Sequence, residues 1–383
     1  MRKGSIHIIY ALFCAAAVSG LAACSEEQYD SSTPRHDAGV TFMVSGISPQ
    51  TRVDYNDSYV SSRFEGGEEL GAYVIDKTGT VNEKGLPEYE FVKGYTRNAR
   101  YKVVNGVPEV THIYTKEKDG KEEKVTYTYD QALEPVVPTD IFPADKRYVF
   151  YYPYKAGGEL GSEDKTGADI RNFSHNVLAN QSTKEAFETS DLLRARVNGT
   201  EDETTVGSSV IGRDATGRQQ LAVNMEHVMT CIVLRVEKSL VPEDDAPEKA
   251  AGLVNVYRTV SGIDLTRALT PEEQGENQYA PTPGENVDKG NITMNRFGDD
   301  TDEYGAACTA YRAVMPAQEV KAGSKFLSFR FNGKTYSETY SLGNTLTFLP
   351  GKYYLFTLTK DGGLRFRGII DDLEDGGDYF YEY

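Results

Sequence analysis

Apolar side chains in this sequence recur at every second position rather than every third or fourth, a period that restricts the chain to β structure. Val40, Phe42 and Val44 alternate with Thr41, Met43 and Ser45 until Gly46 and Pro49 interrupt the run. The pattern predicts a half-buried strand. Similar runs occupy residues 70–75, 89–92, 148–154, 227–236, 253–265, 326–331 and 353–359. Nothing of comparable strength has helical period, so the expected fold class is all-β. Turn chemistry agrees: Asn332-Gly333 separates residues 326–331 from 334–340, and Asp119-Gly120 separates 113–118 from 121–129. Such dipeptides between strand-like runs signal hairpins, because both residues tolerate positive φ. The second hairpin interleaves Lys116, Lys118, Lys121 and Lys124 with Glu117, Glu122 and Glu123. It reads as a solvated two-stranded arm with cross-strand charge pairs, or alternatively as a partner-binding arm.

The N-terminus has a different grammar. Arg2 and Lys3 precede an apolar stretch from Ile6 to Val18, and small residues follow to Cys24, in the three-part layout of a secretory signal. The apolar stretch is short for a membrane span. Leu21-Ala22-Ala23-Cys24 resembles the bacterial lipobox, which implies acylation of Cys24 as the mature N-terminus. The acidic stretch Ser25–Asp30 resembles the signal that sends lipoproteins of Bacteroidota-type bacteria to the outer face of the outer membrane. The division expected is a signal peptide at 1–23, a polar tether at 24–38, an N-terminal β domain at 39–216 and a C-terminal β domain at 217–383. The boundary falls where residues 197–219 are poor in large apolar groups. Residues 271–302, with Pro271, Pro281 and Pro283, read as a long loop within the second domain.

Several function classes lack their residues. With 41 Lys+Arg against 58 Asp+Glu, the formal charge of −17 opposes nucleic-acid binding, which depends on neutralising phosphates. The five His are scattered without zinc-site spacing, and no G-x-S-x-G, P-loop or dinucleotide fingerprint occurs. The acidic runs Asp299–Glu303 and Asp371–Asp378 lack calcium-loop spacing and read as solvated loops. No catalytic residue, metal site or cofactor is therefore expected. The 26 Tyr fit half-buried strand positions or, alternatively, a glycan-stacking surface. Cys231 and Cys308 are the two Cys left in the folded part, either as separate thiols or as one bridge.

Read in order, several segments resemble the Bacteroidales fimbrillin family of pilus subunits and related surface lipoproteins. They are Thr51-Arg52, Phe64-Glu65-Gly66-Gly67-Glu68-Glu69-Leu70-Gly71-Ala72-Tyr73-Val74, Ile141-Phe142-Pro143, Tyr151-Tyr152-Pro153-Tyr154, Asp191-Leu192-Leu193-Arg194-Ala195, residues 223–234 around His227, Met315-Pro316-Ala317-Gln318 and Phe348–Tyr354. The resemblance implies two tandem transthyretin-like β-sandwich domains, no catalysis, and a packing role for His227. It also implies activation by an outside protease that cuts after an Arg and removes the first strand with its lipid, so that a neighbouring subunit's strand fills the vacated groove. On this reading cleavage falls between Arg52 and Val53, with Arg35 and Arg63 as alternatives, and Val40, Phe42 and Val44 belong to the strand that leaves. The expected partners are other pilus subunits, the outer membrane through the lipid, and a host or glycan ligand. The five residues Tyr379–Tyr383 are short for a donor strand, which favours a tip or accessory subunit over a stalk; detachment of Leu364–Ile370 as donor is the other possibility. The alternative function is a surface lipoprotein that keeps its lipid and binds glycan or a host ligand.

Overall fold

The computed structural model describes residues 39–45, 64–81, 87–118, 121–156, 172–199, 209–243, 249–266, 288–301, 305–360 and 363–369. These residues are all-β apart from one seven-residue helix, Lys184–Ser190, and a 3-10 turn, Lys238–Leu240. The helix is too short for a periodicity signal. It is started by Thr183, whose side chain accepts from the Ala186 N–H at 3.1 Å, and it buries Phe187 and Ser190.

Ten strands of the first 227 residues form one sheet. Its order is Glu226–His227, Leu193–Asn198, Arg147–Tyr152, Glu69–Val81, Ala99–Lys118, Lys121–Pro135, Thr41–Ser45, Gln219–Val223 and Val210–Arg213, with Pro87–Phe91 pairing on Glu69–Val81. Every pairing is antiparallel except that of Thr41–Ser45 with Gln219–Val223. The sheet curls until its two ends meet, where Ser209 N–H donates to the Asn198 carbonyl at 2.9 Å and Asn198 N–H to Ser209 Oγ at 2.9 Å. Leu70, Ala72, Val74, Tyr101, Val103, Phe150, Ala195, Leu221 and Val223 fill the enclosed core.

The remaining strands stack as a sandwich. Five of them, in the order Asn295–Thr301, Ala307–Met315, Thr230–Glu237, Tyr353–Thr359 and Gly363–Ile369, face four in the order Lys289–Thr293, Ala251–Tyr257, Lys325–Arg330 and Ser337–Ser341. Rings interlock across the layers, Tyr311 against Phe329 with centroids 5.8 Å apart and Phe326 against Phe356 at 5.6 Å. Thr259–Ile263 pairs with Phe173–Asn176, which ties this sandwich to a strand of the first half.

Several sequence expectations are corrected. Central strands of the first sheet are buried on both faces, not one: Leu70, Ala72 and Val74 face the enclosed core, while Tyr73 and Ile75 join the larger core shared with the sandwich. Gly71 is required here, because its cross-strand partner is Tyr151 and a Cβ would collide with that ring. Residues 253–265 are two strands, Ala251–Tyr257 and Thr259–Ile263. Within 271–302, Lys289–Thr293 and Asn295–Thr301 are strands; their polar sequences suit sheet edges, where ladder hydrogen bonds rather than burial define the strand. At Asn332-Gly333 only Gly333 has positive φ, +73°, and Lys334 N–H donates to the Phe331 carbonyl, so the turn sits inside a six-residue connection between Arg330 and Ser337. In the arm, the ladder places Lys116 opposite Glu123, Glu117 opposite Glu122 and Lys118 opposite Lys121.

Candidate functional site

Thr41–Ser45 occupies an interior position in the curled sheet, hydrogen-bonded to Lys121–Pro135 on one side and to Gln219–Val223 on the other. Phe42 lies between Leu133 and Leu221, Met43 between Ala132 and Ala222, and Val44 between Gln131 and Val223. Because successive side chains of a strand point to opposite faces, two environments are built. Phe42, 1% exposed, enters a box of aromatic edges, with centroids 4.8 Å from Phe150, 4.9 Å from Tyr148, 5.8 Å from Tyr101 and 6.3 Å from Phe142. The box is rigid, since the Tyr101 hydroxyl donates to the Asp140 carbonyl at 2.6 Å and that of Tyr148 to the Pro143 carbonyl. Burial pushes both phenols well above their ordinary pKa. Val44 is fully buried in the same core, and Val40 packs against its rim.

Met43 points the other way, into a second cluster with Tyr127, Tyr129, Ala132 and Ala222. At 1% exposure it corrects the half-buried expectation for this strand. The reason is that Tyr127 and Tyr129, from the strand beside it, cover the face that an ordinary antiparallel sheet leaves wet. The Tyr129 hydroxyl donates to Asn224 Oδ1 at 3.1 Å. Sequence reasoning passed over Met43, although an apolar residue at an outward position was the available signal.

The start of the strand is tethered by a side chain. Thr41 Oγ1 donates to Asp214 Oδ2 at 3.3 Å. The other Asp214 oxygen accepts from Thr216 Oγ1 at 2.6 Å, Thr216 N–H at 2.8 Å and Arg218 N–H at 3.0 Å, bonds that hold this carboxyl below the usual range, Thr216 foremost. After Ser45 the described chain resumes at Phe64, which is 4% exposed and lies 5.5 Å from the Tyr152 ring. Gln131, opposite Val44 in the ladder, donates through Nε2 to the Phe64 carbonyl at 2.8 Å and to Asn105 Oδ1 at 2.6 Å. Asn105 Nδ2 in turn donates to the Glu65 carbonyl at 2.6 Å. Glu68 receives the N–H groups of Glu65 and Gly66 at 2.6 and 2.8 Å.

Cys24, Arg52 and Val53, with the alternatives Arg35 and Arg63, lie outside the described residues. His227 is buried as a side chain; its Nδ1 is 2.6 Å from Asp191 Oδ2 and its ring meets Tyr353 edge-on at 5.9 Å. That joins the residue to the Asp191-Leu192-Leu193 segment quoted above, as a packing residue with a polar tie. Cys231 and Cys308 form no disulfide. Their strands are neighbours, but Cys231 is opposite Val314 and Cys308 opposite Glu237, six positions or about 20 Å apart along the ladder. Burial pushes the Cys231 thiol up. Asp299 and Asp300, expected as solvated acids of a loop, sit on a strand and pair with Lys238 at 2.6 Å and Arg235 at 2.7 Å. Among the described residues no group of His, Cys, Asp and Glu is placed to hold a metal ion.

No curated protein sequence matches the chain. Among solved structures it is similar to a protein described as a cell-adhesion candidate from Bacteroides uniformis, at 14% identity over 86% of this chain and 96% of that one, with a TM-score of 0.44. It is similar to a fimbrial protein from Bacteroides ovatus at 13% identity over 85% of this chain and 49% of that one, with a TM-score of 0.37. The fimbrial anchor protein Mfa2 from Porphyromonas gingivalis aligns at 11% identity over 86% of this chain and 95% of that one, with a TM-score of 0.26. These similarities are too distant to argue from, and the assignment rests on the sequence family: the model described as fimbrillin-like matches residues 51–370, more than four-fifths of the 383 positions, and the chain belongs to the fimbrillin-like family.

Proposed function

We propose that this chain is a fimbrial subunit for cell adhesion that reaches the outer membrane as a lipoprotein acylated at Cys24. Cleavage between Arg52 and Val53 then releases Thr41–Ser45, and an extended segment of a neighbouring subunit takes its place. The family is one of structural, non-enzymatic proteins of cell-surface fimbriae. The observation that carries the reading is that Thr41–Ser45 is hydrogen-bonded on both sides yet joined to the rest of the fold through residues 46–63, which contain Arg52. Loss of the strand would strip both neighbouring ladders of their backbone partners and expose Leu133, Leu221 and the aromatic box. Such a state is unstable in water and binds an extended chain by strand addition.

The test is mass-spectrometric mapping of the N-terminus of the protein taken from the surface of its native cells. A start at Val53 supports the proposal. An acylated Cys24 on all copies refutes it and favours a permanently tethered surface lipoprotein.

A further inference from the structure

Resting on the proposed strand addition, we infer that the slot accepts a segment of another polypeptide by a two-sided rule: three consecutive apolar residues in the order aromatic, long unbranched, small β-branched. An alternating apolar pattern is not sufficient. A strand beside a wet face needs apolar residues only at every second position. Here Phe42, Met43 and Val44 are all at or below 1% exposure, so neither face of the slot is wet. A polar or charged side chain at the middle seat would be buried among the apolar groups of Tyr127, Tyr129, Ala132 and Ala222 and would lose its hydration.

Each seat has its own shape. The first is a box of four ring edges that a flat side chain fills. The middle seat is flanked by two small residues, Ala132 and Ala222, opposite Met43 on either side, and Tyr127 and Tyr129 complete its apolar lining, so that a long side chain such as that of Met43 is needed to fill it. The third is opposite Val223 and Gln131, and Gln131 is held by its bonds to Phe64 and Asn105, so a larger side chain meets a wall that cannot retreat. The sequence around the chain's own late strand, Leu364-Arg365-Phe366-Arg367-Gly368, places Arg367 at the middle seat when Phe366 takes the first. Tyr379-Phe380-Tyr381 places Tyr at the small third seat. Neither obeys the rule, so neither is the segment that the slot accepts.

The experiment uses the full chain with one protease site introduced between residues 46 and 63, cut once so that the original strand stays bound until displaced. Fluorescent peptides are added, and their entry is followed by anisotropy and native mass spectrometry. The probes are residues 39–46 as they stand, the same peptide with Met43→Ser, which keeps the alternating pattern, and residues 377–383. The expected result is entry of the first, with the Met43→Ser peptide and the 377–383 peptide each held about 10- to 100-fold more weakly. Equal binding of the Met43→Ser peptide overturns the two-sided rule while leaving strand addition intact. Equal binding of 377–383 overturns the requirement for a small third residue. Failure of every peptide, the unaltered one included, removes strand addition itself and this inference with it.

Discussion

Replacing Met43 by Ala separates a strand buried on both faces from the half-buried strand that the alternation predicts. On a wet face the substitution would change stability by less than about 0.5 kcal/mol, as surface changes usually do. In the structure Met43 is 1% exposed and packed against two tyrosines and two alanines. Truncating a buried Met to Ala costs about 2–5 kcal/mol. The low end of that range applies only where the cavity collapses, and two features oppose collapse: Tyr129 is tied to Asn224, and the strand is bonded on both sides, so neither wall closes easily. A loss of about 3 kcal/mol is therefore expected. The assay is urea unfolding followed by tyrosine fluorescence, the chain having no Trp. With an m-value of roughly 3–4 kcal/mol/M for a chain of this size, the midpoint falls by about 0.8–1 M. Val81→Ala, at a site 62% exposed, is the control and leaves the midpoint in place. If Met43→Ala also leaves it in place, the second buried face does not exist in solution and the two-sided slot falls with it.

His175 is fully buried, with Nε2 donating to the Ser190 carbonyl at 2.8 Å, and burial foremost, then Lys155, lowers its pKa to about 3. Its unfolded value is near 6.5, so between the two the unfolded chain binds the extra proton. Stability contributed by this residue is complete above pH 6.5 and is lost as pH falls, by about 2 kcal/mol at pH 5. Melting temperature measured against pH should show this slope, and a His175→Gln variant should flatten it; parallel slopes for the two proteins would exclude His175 as the cause. Gly71→Ala drives a Cβ into the Tyr151 ring and should destabilise by about 1–3 kcal/mol in thermal melts, an effect a Tyr151→Ala background should lessen, with the Asn98 side-chain oxygen, 2.6 Å from the added Cβ, accounting for what remains. Thiol titration should find Cys231 and Cys308 unreactive in the native protein and both reactive after denaturation without reductant; a missing pair of thiols in the denatured sample would contradict the ladder register.

Much of the molecule was legible because the signals were local. Period-two runs at 70–75, 89–92, 326–331 and 353–359 reappear as strands with ends shifted by a few residues or, at Glu69–Val81, a longer reach, since alternation is set by the pleat itself. Polar edge strands such as Asn295–Thr301 were missed because nothing apolar marks them, and the helix Lys184–Ser190 because seven residues give too few repeats. The first strand was found by sequence with its residues Phe42 and Val44 correctly turned inward.

What the sequence determined by itself was the all-β class, the existence of that strand and the family to which the chain belongs, because hydrophobic period, turn chemistry and motif order are properties of neighbours along the chain. What only the tertiary structure decided was where the strand sits: between residues 121–135 and 219–223, covered on its second face by Tyr127 and Tyr129, and bonded in parallel to a partner about 180 residues away. Pairing partners and the covering of a sheet face are set by long-range packing, where the burial of Met43 and the spacing of Cys231 from Cys308 follow from register. A period of two says that a side chain alternates; it does not say what lies on either side.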